Sequence, residues 1–247
     1  MTDNRQLFTS KSDDYAKFRP SYPDAAVRWL KERTAAKRVL DVGAGTGIFT
    51  QVLLKHFAEV SAVEPNNDMR EKFRNALPAT ECFNAAGEAT GLPENSFDLI
   101  TVAQAFHWLD AEKFKKEAVR ILTSEGKVAI VWNTSLPDDF SSERNKVCQK
   151  YCPRFAAGHA GKHSPAEGDI FLRERYFRKV EVVSFPNPFE MDLNTFEGNM
   201  RSRSYALTPD DERYGEFTSE LRKVFGRYAE NGIVTERQET QIYLGSF

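Results

Sequence analysis

Residues 39–50 read V-L-D-V-G-A-G-T-G-I-F-T. A short apolar run carrying one acid drops into three glycines separated by single residues, and helical spacing begins directly after them. Such a turn needs a strand to deliver it and a helix to follow it, which points the chain to an α/β fold with a doubly wound parallel sheet. The stretch 37–133 agrees. Val39–Val42 reads as a buried strand, and Ile48–Phe57 places apolar residues at 49, 52, 53 and 57 on one helix face. Val60–Val63 is a second strand, after which Asp68 is placed to cap a helix carrying Met69, Phe73 and Leu77. Glu81–Ala85, Phe97–Val102 and Lys127–Trp132 are the next strands. Between the last two, Asp110 caps a helix with Phe114, Ala118 and Ile121–Leu122 inward, and Ser124-Glu125-Gly126 turns the chain. Ligands of such sheets bind beyond the carboxyl ends of the strands.

The pattern weakens after residue 133. Residues 134–178 carry charge and Pro137, Pro153 and Pro165, with two helices expected. Lys179–Phe185 alternates as a strand, 191–232 reads as helical and dotted with aromatics, and Thr240–Phe247 reads as a last strand. With 247 residues, 40% of them apolar, the chain suits one domain over 1–247. Its expected parts are an N-terminal helical flap (1–36), a cofactor-binding core (37–133), and helical additions over 134–178 and 190–235 that form a substrate lid.

The turn's spacing narrows its ligand. A dinucleotide fingerprint is G-x-G-x-x-G, whereas G-A-G-T-G is one residue shorter between its second and third glycines. A P-loop ends in Gly-Lys-Ser/Thr, which is absent. The following helix N-terminus suits a carboxylate, and Asp41 suits a cationic amine. Glu64 ends the second strand, where an acid accepts ribose hydroxyls.

V-L-D-V-G-A-G-T-G, A-V-E-P, G-E-A-T-G-L-P-E-N-S-F-D-L-I-T-V and R-I-L-T-S-E-G-K, in that order, resemble the class I S-adenosylmethionine-dependent methyltransferases. F-R-P-S-Y-P and A-Q-A-F-H-W-L-D further resemble the small-molecule branch that includes trans-aconitate methyltransferase-like proteins. The resemblance implies a Rossmann-like, mostly parallel seven-stranded sheet with an antiparallel last strand, and S-adenosyl-L-methionine as cofactor, released as S-adenosyl-L-homocysteine. It implies that Gly43, Ala44, Gly45 and Gly47 wrap the cofactor's methionine part, with Asp41 beneath and Glu64 on the ribose. Pro65 and Met69 would flank adenine. Glu88 and the Ala89 backbone would reach the adenine amino group, with Glu in place of the usual Asp. Gln104 and Ala105 would lie beside the sulfur. Such a ligand brings an ammonium, a carboxylate and a sulfonium but no phosphate, so acids are welcome at the turn.

Methyl transfer from a sulfonium is an in-line displacement that mainly needs alignment and exclusion of water. A base is required only where the acceptor must lose a proton, and His107, after the fourth strand, is the candidate. Trp108, Trp132 and Asn133 are expected in the substrate pocket. Tyr15, Arg19 and Tyr22 are expected to close over the cofactor or substrate. Arg201 and Tyr205, in M-R-S-R-S-Y, would recognise a carboxylate acceptor if that segment lines the pocket. Cys148 and Cys152, four apart, are expected as packing, and with His159 and His163 they make a weak metal pattern; no metal is expected.

A net charge of −2 gives no general attraction to nucleic acid or anionic membrane. No stretch approaches the ~18 apolar residues of a membrane span, and the N-terminus lacks a signal peptide's apolar centre, so a cytoplasmic monomer or homodimer acting on a small molecule is expected. A nucleic-acid methyltransferase, an NAD-dependent oxidoreductase and a non-catalytic binder of the methyl donor are the competing readings.

Overall fold

In the computed structural model of the chain, which describes residues 11–156 and 165–247, the alternating signals become nine strands and ten α-helices among those residues. The strands are β1 (Arg38–Val42), β2 (Glu59–Val63), β3 (Cys82–Phe83), β4 (Phe97–Ala103), β5 (Leu122–Ser135), β6 (Lys179–Pro186), β7 (Phe189–Met191), β8 (Val234–Glu236) and β9 (Gln238–Ser246). The helices are α1 (Ser12–Phe18), α2 (Asp24–Thr34), α3 (Ile48–Leu53), α4 (Asn67–Ala76), α5 (Ala111–Ile121), α6 (Asp139–Tyr151), α7 (Pro153–Ala156), α8 (Pro165–Phe171), α9 (Leu193–Arg201) and α10 (Tyr214–Tyr228). A π-helical stretch, Leu172–Tyr176, continues α8.

Seven strands form one sheet in the order β3-β2-β1-β4-β5-β9-β6. The pairings from β3 to β5 are parallel, and β9 enters antiparallel between β5 and β6. The sheet is therefore Rossmann-like, mostly parallel, with the last strand reversed. Alternate residues bury on opposite faces, as a doubly covered sheet requires. Leu40, Val42, Ile100 and Ile130 meet Phe114, Ala118 and Tyr176 on one side. Val39, Leu99, Val131 and Ile242 meet Val27, Leu30, Phe49 and Val52 on the other. The segments after β5 and before β9 pack around a core of their own, in which Phe140, Cys148, Phe196, Met200, Phe217 and Phe225 meet.

Several boundaries differ from the sequence reading. Asn66, not Asp68, caps α4: its side chain accepts the Met69 N–H at 3.0 Å, leaving Asp68 inside the first turn. The helix after the glycine turn stops at Leu53, and tighter bonds such as Lys55 N to Val52 O carry the chain to Phe57. The third strand shrinks to Cys82–Phe83, while β5 runs from Leu122 to Ser135. Residues 189–191 and 234–236, at the borders of a stretch read as helical, pair as short antiparallel strands. No described helix is long and apolar enough to cross a membrane.

Candidate functional site

The turn after β1 is held open by backbone geometry. Gly43, Gly45 and Gly47 have φ of 68°, 58° and 89°, the left-handed region that side chains disfavour. Space adds a second constraint. A Cβ on Gly43 would stand 2.7 Å from the Ala105 Cβ, and one on Gly47 would stand 2.9 Å from the Phe73 ring.

The turn's amides are largely spent inside the protein. Gly43 and Ala44 donate to the Val63 carbonyl at 2.8 and 3.1 Å, Gly45 to Glu64 Oε2 at 2.8 Å, and Gly47 to the Ala44 carbonyl at 2.9 Å. α3 is six residues long. The turn thus spends these donors chiefly on the neighbouring strand and the residue after it.

Two acids lie beside it. Asp41 is 1% exposed; its Oδ2 accepts the Thr50 hydroxyl at 2.6 Å and its Oδ1 the Thr101 hydroxyl at 2.9 Å. Burial pushes its pKa up to about 6, against the pull of the two hydroxyls and with the Glu64 charge adding to the rise. Glu64 is 7% exposed, and its Oε1 accepts the Asn66 N–H at 2.8 Å. Burial raises its pKa as well, against the backbone donors of Asn66 and Gly45 and the Arg70 charge. Two buried acids with raised pKa values favour a cationic or hydroxyl-bearing ligand and oppose a second anion.

The N-terminal segment forms the roof. The Tyr15 ring lies 3.9 Å from where a Gly45 Cβ would stand, and the Arg19 guanidinium lies 4.9 Å from the Tyr15 ring centre. Tyr22 meets Phe49 edge to face at 4.6 Å. Between floor and roof is a cavity of about 40 Å3, far smaller than the ~300 Å3 at which ordinary ligand pockets begin. Asp41, Gly43, Ala44 and Gln104 form its floor; Tyr15, Arg19 and Tyr22 face them, and Asn133 closes the side. Gln104 has φ of 55°, a strained position for a residue with a side chain. It is held by its own N–H on the Val131 carbonyl and its Nε2 on the Asn133 carbonyl, both at 2.9 Å. Asn133 Nδ2 in turn donates to the Ser21 carbonyl at 3.2 Å, tying roof to sheet.

Other predicted residues lie outside this cavity. Met69 is buried in α4 beside Pro65 and Asn66. Glu88 Oε1 accepts the Asp110 N–H at 2.8 Å, and the Ala89 N–H is taken by the Ala86 carbonyl at 3.0 Å. His107, after β4, lies 4.4 Å from the Trp108 ring and 5.2 Å from that of Trp132 in β5. Arg201 does not line the cavity: its Nε and Nη2 donate to Asp14 at 2.9 and 3.2 Å, which fastens α1 to α9. Tyr205, after α9, packs edge to face on Phe155 at 4.8 Å. Cys148 and Cys152 are buried free thiols, while His159 and His163 lie outside the described residues. No group of three or more His, Cys, Asp or Glu suited to a metal occurs among the described residues.

The sequence reading missed Thr50 and Thr101, which hold Asp41. Thr101 is the parallel register partner of Asp41, a relation visible only once β1 and β4 are paired. It also missed Ile48 and Phe49, which line the cavity directly after the turn.

Residues 40–130 match the family model described as a methyltransferase domain. An uncharacterized methyltransferase of Mycobacterium bovis is 42% identical over 127 residues, 51% of this chain and 52% of its own length. The chain thus spans about half the length of that curated relative. A methyltransferase-like protein of Schizosaccharomyces pombe is 28% identical over 236 residues, 91% of this chain and 88% of its own. The solved structure of a protein from Anaeromyxobacter dehalogenans, described as a type II methyltransferase, aligns with a TM-score of 0.63 at 24% identity, over 92% of this chain and 96% of that one. That likeness is one of fold.

Proposed function

We propose that this chain, whose residues 40–130 match the model of a methyltransferase domain, transfers a methyl group from S-adenosylmethionine to a small-molecule acceptor. The observation that carries the reading is the pair of buried acids, Asp41 and Glu64, flanking a glycine turn whose amides are already bonded. A dinucleotide would bring its pyrophosphate to the turn, beside the Asp41 carboxylate and amides that are already bonded. A ligand with an ammonium, a sulfonium and a ribose diol meets them favourably.

On this reading Asp41 is the acid nearest the ammonium. Glu64 turns its remaining lone pairs to the ribose hydroxyls, since each carboxylate oxygen accepts more than the one backbone bond it has. Pro65, Met69, Glu88 and Ala89 surround the adenine, and Gly43 and Ala105 let the methionine part approach the backbone. The bound sulfonium supplies an activated methyl group. The chain's own contribution is to align the acceptor and exclude water, with Tyr15, Arg19 and Tyr22 as the closing roof. His107, between Trp108 and Trp132, takes the proton where the acceptor must lose one.

The test is incubation of the purified protein with methyl-labelled S-adenosylmethionine and a metabolite extract. A labelled small molecule formed together with S-adenosylhomocysteine is the expected result. Label transferred only to RNA, DNA or protein, or no transfer from any extract, would overturn the reading.

A further inference from the structure

We infer that Arg70 is a positioning residue whose guanidinium keeps the Glu64 side chain a carboxylate, and so sets the pH range over which the donor's ribose is held. The inference rests on the proposed use of S-adenosylmethionine, with Glu64 on the ribose diol.

Arginine is seldom fully buried, yet Arg70 is 6% exposed. It belongs to the inward residues of α4, with Met69 and Phe73. Its side chain turns back to the end of β2. There Nη1 donates to the Glu64 main-chain carbonyl at 2.7 Å, and Nη2 donates to the Asn67 side-chain oxygen. Nε is buried without a hydrogen-bond partner. The first bond moors the positive charge to the same residue that carries the acid. Both bonds go to uncharged oxygens, so they do not cancel that charge, and its field acts on the Glu64 carboxylate.

Glu64 needs such a charge to hold a diol. Its Oε2 accepts the Gly45 N–H and its Oε1 the Asn66 N–H, both at 2.8 Å. An ionised carboxylate has about four acceptor sites, so roughly two remain for two hydroxyls. Protonation turns one oxygen into a donor and removes that match. Most of the surroundings favour protonation. The residue is 7% exposed, and Asp41, from β1, is a second buried acid whose charge couples to it. The other titratable groups bearing on it are the Tyr15 phenol of α1 and the Cys82 thiol of β3. Burial raises the pKa of both, so both are uncharged at neutral pH. Arg74, also on α4, bears on Cys82. Arg70 is the cation that works against burial at Glu64, beside the two backbone donors.

The probe is 5′-methylthioadenosine, which carries the donor's adenine and ribose without its ammonium, and its 2′,3′-dideoxy counterpart, which lacks the diol. The full chain is titrated calorimetrically with each between pH 5 and pH 8.5. The wild type should prefer the diol at neutral pH and lose the preference as pH falls. R70Q should move that loss about one pH unit higher, the effect of removing a nearby opposite charge. Its preference should then fall by about three- to tenfold near pH 6 and by much less at pH 8.5. R70K should stay close to the wild type. Carbon-13 NMR of the glutamate-labelled wild type, with Glu64 assigned through E64Q, reads the same claim without an Arg70 variant: Glu64 should be ionised at pH 7. A protonated Glu64 at pH 7, a loss in R70Q that is equal at every pH, or an R70K as impaired as R70Q would overturn the inference. If the chain binds S-adenosylhomocysteine but shows no preference for the diol, this inference falls alone. If it binds neither S-adenosylhomocysteine nor 5′-methylthioadenosine, the methyl-donor reading falls with it.

Discussion

Replacing Asp41 by Asn separates what this acid does for the ligand from what it does to the fold. In the folded chain its pKa is raised from 3.8 to about 6, first by burial. The folded state therefore holds the proton more tightly than the unfolded chain, so stability falls as pH rises from about 4 through 6 and the penalty is complete above that. A shift of this size corresponds to about 3 kcal/mol at pH 7.5 and about 1 kcal/mol at pH 4.5. Asn keeps the shape, and the threonine hydroxyl facing its amide nitrogen can rotate to accept. The buried amide takes back part of the gain. D41N is expected to be more stable than the wild type by about 1–3 kcal/mol at pH 7.5, or roughly 2–10 °C in Tm for a chain of this length, and by much less at pH 4.5. Donor binding should move the other way, weakening about tenfold or more as the ammonium loses its charged partner. Thermal melts across pH 4.5–7.5, paired with titration of S-adenosylhomocysteine, give both readouts. A D41N protein less stable than the wild type at pH 7.5, or a Tm difference that does not change with pH, would refute the reasoning.

Three further outcomes follow from the geometry. Arg144 and Glu236 form a 2.6 Å ion pair with side chains each 4% exposed, so Arg144→Ala should cost about 3–5 kcal/mol by stranding a buried carboxylate, read by chemical denaturation, whereas the double change R144M/E236L should restore much of the loss. Gly47→Ala places a Cβ 2.9 Å from Phe73 at φ of 89° and should destabilise by about 1–3 kcal/mol while weakening donor binding, read by Tm and titration. Asp14→Ala removes the α1–α9 pair, whose side chains are 30% and 33% exposed; it should cost under about 1 kcal/mol but speed donor association in stopped flow, and an unchanged rate would count against the roof as a gate.

What could be read ahead of the structure was what local pattern controls. The strands up to β5 announce themselves as apolar runs punctuated by glycine and caps, and Asp110 caps α5 as its position suggested. The α4 cap was misplaced because Asn66 and Asp68 both carry suitable oxygens, and only the chain's exit from β2 chooses between them. β7 and β8 are three residues each, and the partner that makes them strands is far along the chain. Arg201 looked like an anion-binding group because its partner, Asp14, lies at the other end of the sequence. Nor does anything in G-A-G-T-G reveal that Val63 and Glu64 take the amides of the turn. Arg19 was legible as a roof residue, but its buried, unpartnered Nε is a property of packing alone.

The central claim is that this glycine turn and its two acids hold the methyl donor. Equilibrium titration of the full chain with S-adenosylhomocysteine and, separately, with NAD at pH 7.5 tests it directly. Saturable one-to-one binding of S-adenosylhomocysteine with no measurable binding of NAD is the expected result. Binding of NAD in its place, or of neither, would contradict the account.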